Sequence, residues 1–176
     1  MAGHAKSSLR PLAGSEFQRE LEKESLRAKR GRCPLSLVLF APKFQDTRSN
    51  KETNARELLR CIESHASPCD ALGLLPEMRY ALLLPGAGVF KAQNMTESIL
   101  QDFENSGGAC TAGIASAEPP ENACAETLLQ QALAALRHIR EQGGRISVYR
   151  EQAENLSLRK TLVHSHEKRF LFSGGE

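Results

Sequence analysis

The sequence predicts an α/β domain, and three observations carry that prediction. The runs Leu72-Gly-Leu-Leu75 and Tyr80-Ala-Leu-Leu-Leu84 are short, apolar and separated by a polar break at Pro76–Arg79, with Pro85-Gly86 closing the second. Apolar runs of this length bounded by turn residues read as two strands of a β-hairpin. The second run has no polar position, so it is expected inside a sheet with both faces at least partly covered. Around the hairpin, further strand-like runs alternate with segments whose apolar residues recur at helical spacing.

Taken in order, residues 1–14 are small and polar with Pro11 and Gly14, and read as a flexible lead-in. Ser15 with Gln18 three residues on predicts a capping box and a helix to about Arg30. Phe17, Leu21 and Ala28 are its apolar stripe, and Gly31 and Pro34 end it. Pro34–Phe40 is the first core strand. Ser49 and Glu52 form a second capping box ahead of a helix to about Ser64, with Ala55, Leu58, Leu59 and Ile62 on one face. After the hairpin, a helix over about 89–104 carries Ala92, Met95, Ile99 and Phe103 and stops at Ser106-Gly107-Gly108. Gly107-Gly108 follows no strand and precedes no helix, so it is a poor phosphate loop. Residues 109–115 are a strand of small side chains. The longest helix, about 123–142, has Leu128, Leu129, Ala132, Leu136 and Ile139 on its apolar face and stops at Gly143-Gly144. Residues 145–149 are the last strand. The domain is therefore placed at 15–150, followed by a tail, 151–176. In the tail, Leu156, Leu158, Leu162 and Val163 suggest a short amphipathic piece, and Phe170-Leu171-Phe172 is an apolar patch beside Lys168-Arg169. Phe170 and Phe172 are its candidate docking anchors, against this domain or a partner.

Bulk properties narrow the function. A chain of 176 residues that is 40% hydrophobic suits one domain with a real core and a tail. The net charge of +2 gives no case for a nucleic-acid or membrane partner, and with no Trp there is little to build a base-stacking platform. The N-terminus has no apolar stretch of signal-peptide type, and no run is long enough to span a bilayer. Five cysteines, with no Cys-x-x-Cys pair, suit reduced, individually buried thiols in a cytoplasmic protein better than disulfides or a zinc site. His164-x-His166 lacks a third metal ligand nearby. No cofactor and no metal site is expected.

Several motifs add to this in order and spacing. They are Tyr80-Ala-Leu-Leu-Leu-Pro-Gly86 after a tight turn, Gly113-Ile114-Ala115, and Ala134-Ala-Leu-Arg-His-Ile-Arg140 followed by a Gly and Arg145. From Leu9 to Tyr149 the chain resembles the GGDEF domain, the diguanylate cyclase family. The resemblance implies an α/β fold with a central, mainly antiparallel sheet of about five strands flanked by helices, related to nucleotide cyclase and polymerase palm domains. It also implies where chemistry should sit, and there the chain departs from the family. Pro76, Glu77, Met78, Arg79 and Tyr80 occupy the five signature positions, and only the final aromatic is kept in kind. Where the family places a Mg²⁺-holding Asp at the end of the first strand, this chain has Ala41, with Lys43 two residues on. Mg²⁺ needs hard oxygen ligands, usually carboxylates and phosphates. Arg56 stands where the family's guanine-reading Asp would be, and it offers no acceptor. Of the product-binding Arg-x-x-Asp motif, Asp70 remains and Ser67 replaces the Arg. Arg140 replaces the phosphate-touching Lys, keeping its charge. The leading segment of the family is reduced to Leu9–Phe17, without its Asn-Arg pair.

What the resemblance implies is therefore a catalytically inactive, degenerate GGDEF-like domain. It would act as a regulatory or protein-interaction module in bacterial signalling, with a protein partner or a second copy of itself. GTP or cyclic di-GMP are candidate ligands, with Lys43 and Arg140 as residual phosphate contacts. The alternative is a divergent, cyclase-like nucleotide-processing enzyme with relocated metal ligands, drawn from Asp46, Asp70 and Glu77, and with Lys43, Arg79 and Arg140 on phosphate. A third reading is a purely structural module that positions the Phe170–Phe172 tail against a partner.

Overall fold

Six consecutive residues, Leu35 to Phe40, are wholly buried in the strand Leu35–Pro42 (β1). Such a run requires cover on both faces and a strand on each side. The computed structural model supplies both. It describes residues 9–43, 48–119 and 124–150, with side chains in the second helix from Lys51 onward. Helix Gly14–Gly31 (α1) precedes β1. Helix Arg48–His65 (α2), strand Ala71–Leu75 (β2), strand Arg79–Pro85 (β3) and helix Val89–Asn105 (α3) follow it. Strand Cys110–Ala117 (β4), helix Ala125–Gln142 (α4) and strand Ile146–Val148 (β5) complete the described domain.

The five strands form one sheet in the order β2-β3-β1-β4-β5. β1 is antiparallel to β3 and β4, β2 is antiparallel to β3, and only β5 runs parallel to its neighbour. The predicted α/β class and mainly antiparallel sheet hold. Side chains alternate across the sheet at period two. Val38, Phe40, Leu82 and Ile114 join Leu58 and Ile62 of α2 and Ile99 and Phe103 of α3 in one core. Leu37, Leu39, Leu83 and Ala115 join Phe17 and Leu21 of α1 and Leu128, Ala132 and Leu136 of α4 in the other. The unbroken apolar run at 80–84 is thus one strand serving two cores. On the second face α4 approaches β4 closely: a Cβ on Gly113 would stand 2.5 Å from the Ala132 carbonyl oxygen.

Three expectations need correction. Helix α1 starts at Gly14 with Ala13 as its N-cap, because the Ala13 carbonyl already accepts the Phe17 N–H at 2.8 Å. The reach-back comes from Glu16, whose Oε2 accepts the Ala13 N–H at 3.4 Å, and not from a Ser15–Gln18 box. The Ser49 side chain lies outside the described ones. Second, the lead-in is structured in its last residues. Leu12 N–H donates to Leu72 O at 2.8 Å and Leu12 O accepts from Leu74 N–H at 3.0 Å, so Leu12 is fastened to the outer edge of β2. Third, only Cys61 and Cys110 of the five free cysteines are buried, while Cys33, Cys69 and Cys124 are exposed. Among the described residues, no helix is long and apolar enough to cross a membrane.

Candidate functional site

The β1–β3 register ends at Phe40 opposite Tyr80. The next residues on each strand, Ala41 and Arg79, therefore lie at the same end of the sheet, where the hairpin turns. On the other side of β1, Ala41 faces Thr111 and Pro42 faces Cys110, and the Lys43 N–H donates to Ala109 O at 2.8 Å. Ala41–Lys43 thus lies between the hairpin tip and the start of β4. The Ala41 side chain has no oxygen, and its carbonyl accepts the Thr111 hydroxyl at 3.4 Å. Burial pushes the Cys110 thiol up to about 12, with Lys43 pulling weakly the other way.

The tip itself is a three-residue 3-10 turn, Pro76–Met78. Glu77 (φ 63°) and Met78 (φ 56°) both sit in the left-handed region. For residues with a Cβ this conformation costs roughly 1–2 kcal/mol each. The tip thus has a backbone conformation that suits glycine, yet both positions carry side chains. Glu77 pairs with the guanidinium of Arg79, so the one carboxylate on the tip is already engaged by the cation two residues away. Tyr80 is buried, and its hydroxyl donates to Ala55 O in α2 at 3.2 Å. Burial raises its phenol above the ordinary range. Tyr80 therefore anchors the tip to α2.

The other predicted residues divide by place. Arg56 is exposed on α2 and pairs with Glu52 at 4.0 Å. Asp70 stands before β2, at the opposite end of that strand from the tip. Its Oδ2 accepts the Ser67 N–H at 2.7 Å, and its own N–H donates to Ser67 O at 3.0 Å, closing the Ser67–Asp70 turn. Arg140 is exposed in the last turn of α4. Because β5 runs parallel to β4, with Arg145 O accepting the Ala112 N–H at 2.9 Å, the end of α4 comes to the same end of the sheet as Lys43 and the tip. Lys43 and Arg140 are thus brought to one end, and Asp70 is not. Phe170, Phe172, His164, His166 and Asp46 lie outside the described residues.

Two interactions here had no sequence signal. Arg145 pairs with Glu104 at the end of α3, and His65 Nε2 lies 2.7 Å from Asp102 Oδ2 across α2 and α3. Their partners stand 41 and 37 residues apart. Among the described residues, no three His, Cys, Asp or Glu side chains are grouped to hold a metal ion.

Comparison with known proteins places this geometry. No family model matches the chain, and no curated protein does. Solved structures do match. The active GGEEF domain of a diguanylate cyclase from Vibrio cholerae superposes with a TM-score of 0.72 at 19% identity, covering 81% of this chain and 100% of that one. The GGDEF domain of DgcB from Caulobacter crescentus, solved with c-di-GMP, gives 0.69 at 17% identity, covering 85% and 98%. Diguanylate cyclase SiaD from Pseudomonas aeruginosa, solved with its activator SiaC, gives 0.68 at 17% identity, covering 80% and 59%. At these identities the likeness is one of fold, and it agrees with the sheet order, the hairpin and the helix on each side of it: this chain has the GGDEF fold of the diguanylate cyclases.

Proposed function

We propose that this chain is a degenerate, non-catalytic GGDEF-like domain serving as a regulatory or protein-interaction module in bacterial, cytoplasmic signalling. The observation that carries the reading is that the end of β1, Ala41–Lys43, lies at the same end of the sheet as the Pro76–Arg79 tip. Phosphoryl transfer is mainly positioning plus neutralisation of charge by a metal. At this end of the sheet the strand offers an alanine and a lysine, and the tip's Glu77 is held by Arg79. These donors do not suit Mg²⁺, which takes carboxylate and phosphate oxygens. Side chains on Glu77 and Met78 also stand where a close backbone approach to phosphate would need glycine. What remains favours weak binding of an anion. Lys43 and Arg140 are exposed cations at the same end, and SiaD and DgcB illustrate the partners such folds take, an activator protein and c-di-GMP.

The test is incubation of the full chain with GTP and Mg²⁺, with product assayed by chromatography, alongside melting curves with GTP or c-di-GMP. The expected result is no cyclic dinucleotide. A ligand that binds only the folded state at a hundredfold excess over Kd would add about 2.7 kcal/mol of stability. A shift with c-di-GMP alone identifies a sensor module, and no shift with either leaves protein interaction as the function. Mg²⁺-dependent product would overturn the reading in favour of the divergent enzyme, and Asp46→Asn and Glu77→Gln would then locate its metal ligands.

A further inference from the structure

The two edges of the sheet are treated differently. The outer edge of β2 is covered by Leu12, and Pro76 at its end has no N–H to offer. β5, at the other edge, has three residues, Ile146–Val148. Arg145 O accepts the Ala112 N–H and the Tyr149 N–H donates to Ile114 O, both towards β4. In a parallel pair alternate residues turn their backbone groups the other way, so the N–H and C=O of Ile146 and Val148 face outward. Among the described residues no strand pairs with that outer edge. This edge is complementary to itself. Set antiparallel about a twofold axis at Ser147, two copies bring Ile146 of one opposite Val148 of the other. Both residues turn their N–H and C=O outward, so the pair exchanges two hydrogen bonds, and the symmetry supplies that pair twice.

The charges beside the edge follow the same axis. Glu126, Gln130, Ala134 and Arg137 of α4 form one wall of a groove next to β5, and Tyr149 forms the other. α4 runs opposite to β5, since it returns from the end of β4 to the start of β5 and these two strands are parallel. An axis that reverses β5 therefore reverses α4 as well. The middle of α4 stands close to that axis: Gly113 pairs with Ser147, and a Cβ on Gly113 would lie 2.5 Å from Ala132 O. Glu126 and Arg137 lie at nearly equal distances along the helix on either side of Ala132. The axis thus carries Glu126 of one copy to the level of Arg137 of the other. Both are exposed, and neither has an ion-pair partner among the described residues. A wall with opposite charges at its two ends favours an occupant that brings the opposite charge to each, and a reversed copy of the same wall does so.

We infer that β5 is the contact surface for a second copy of this chain. The two β5 strands pair antiparallel about Ser147 and join the two five-stranded sheets into one, with Glu126 of each α4 meeting the partner's Arg137. The inference names a surface that the proposed function leaves open, and it does not depend on the domain being non-catalytic. β2 and β3, which carry the hairpin tip, lie on the opposite side of the sheet, outside the contact.

The test is sedimentation of the full chain across a concentration series, with amide exchange read at Ile146 and Val148. A dimer should form as concentration rises, and these two amides should become protected in step with it, while those of β1 do not change. Glu126→Arg and Arg137→Glu should each weaken the dimer about tenfold or more, because like charges then meet twice. The double variant Glu126→Arg/Arg137→Glu should recover it, since the symmetry restores both pairs. A chain that stays monomeric up to about millimolar concentration would overturn the inference. So would a dimer indifferent to both reversals. Protection at Ile146 and Val148 that does not vary with concentration would overturn it too, and would assign the edge to the chain's own residues.

Discussion

The ring of Phe17 lies directly on the backbone of Gly73: a Cβ built on Gly73 would stand 2.4 Å from Phe17 Cγ. Phe17 is 2% exposed and cannot swing away, so α1 reaches β2 only because position 73 has no side chain. Gly73→Ala is expected to destabilise the domain by about 1–3 kcal/mol, the usual cost of overpacking. Phe17→Ala should cost about 3–5 kcal/mol by leaving a cavity. Urea titrations of the single and double variants check the contact. The double variant should lose less than the sum, because removing the ring makes room for the methyl.

At the hairpin tip, Met78 holds a left-handed conformation and is 37% exposed. Met78→Gly relieves the Cβ clash at the cost of a more flexible unfolded chain. A net gain of about 0.5–1 kcal/mol is expected, and Met78→Val should lose at least that much. A lower Tm for Met78→Gly than for the parent chain would show that Met78 contributes packing that outweighs its strain.

The Tyr80–Ala55 hydrogen bond predicts that Tyr80→Phe costs about 1 kcal/mol. It should also loosen α2 specifically, read as faster amide exchange there than in α4. Uniform acceleration in both helices would argue against an anchoring role for the hydroxyl.

Alkaline pH should destabilise the fold in a defined window. Cys110 is raised by burial from 9.0 to about 12, so above pH 9 the unfolded chain loses a proton that the folded chain keeps. Unfolding is then favoured progressively as pH rises from about 9 towards 12. Tyr80, also raised by burial, adds to this at the upper end. Cys110→Ala should flatten the fall in Tm between pH 9 and 11, whatever its effect at pH 7. An unchanged slope would mean that other groups dominate the alkaline transition.

The thiols should also separate by reactivity. Cys124 is exposed at the N-cap of α4, and the Thr127 backbone N–H and hydroxyl near its thiol lower its pKa. Thiolate is the reactive form. Cys124 is expected to be alkylated first at pH 7, and Cys61 and Cys110 only on unfolding, as mass spectrometry of timed samples would show. Thr127→Val should slow Cys124 labelling without protecting Cys33 or Cys69.

Much of this architecture is local in origin. The order of strands and helices, the hairpin at 72–84 and the apolar faces of α2, α3 and α4 follow from periodicity, which each segment carries within itself. So does the absence of oxygen-bearing side chains at Ala41 and of an Arg at Ser67. The tertiary structure alone decided that Ala41 and Lys43 lie at the same end of the sheet as Arg79, that Arg140 arrives there too while Asp70 does not, and that Asp70 closes its own turn. It alone fastened Leu12 to β2 and paired Arg145 with Glu104. These relations join residues tens of positions apart, and they depend on strand order and on which face each helix covers. No spacing in the sequence encodes them, because they exist only once both cores have been packed against one sheet.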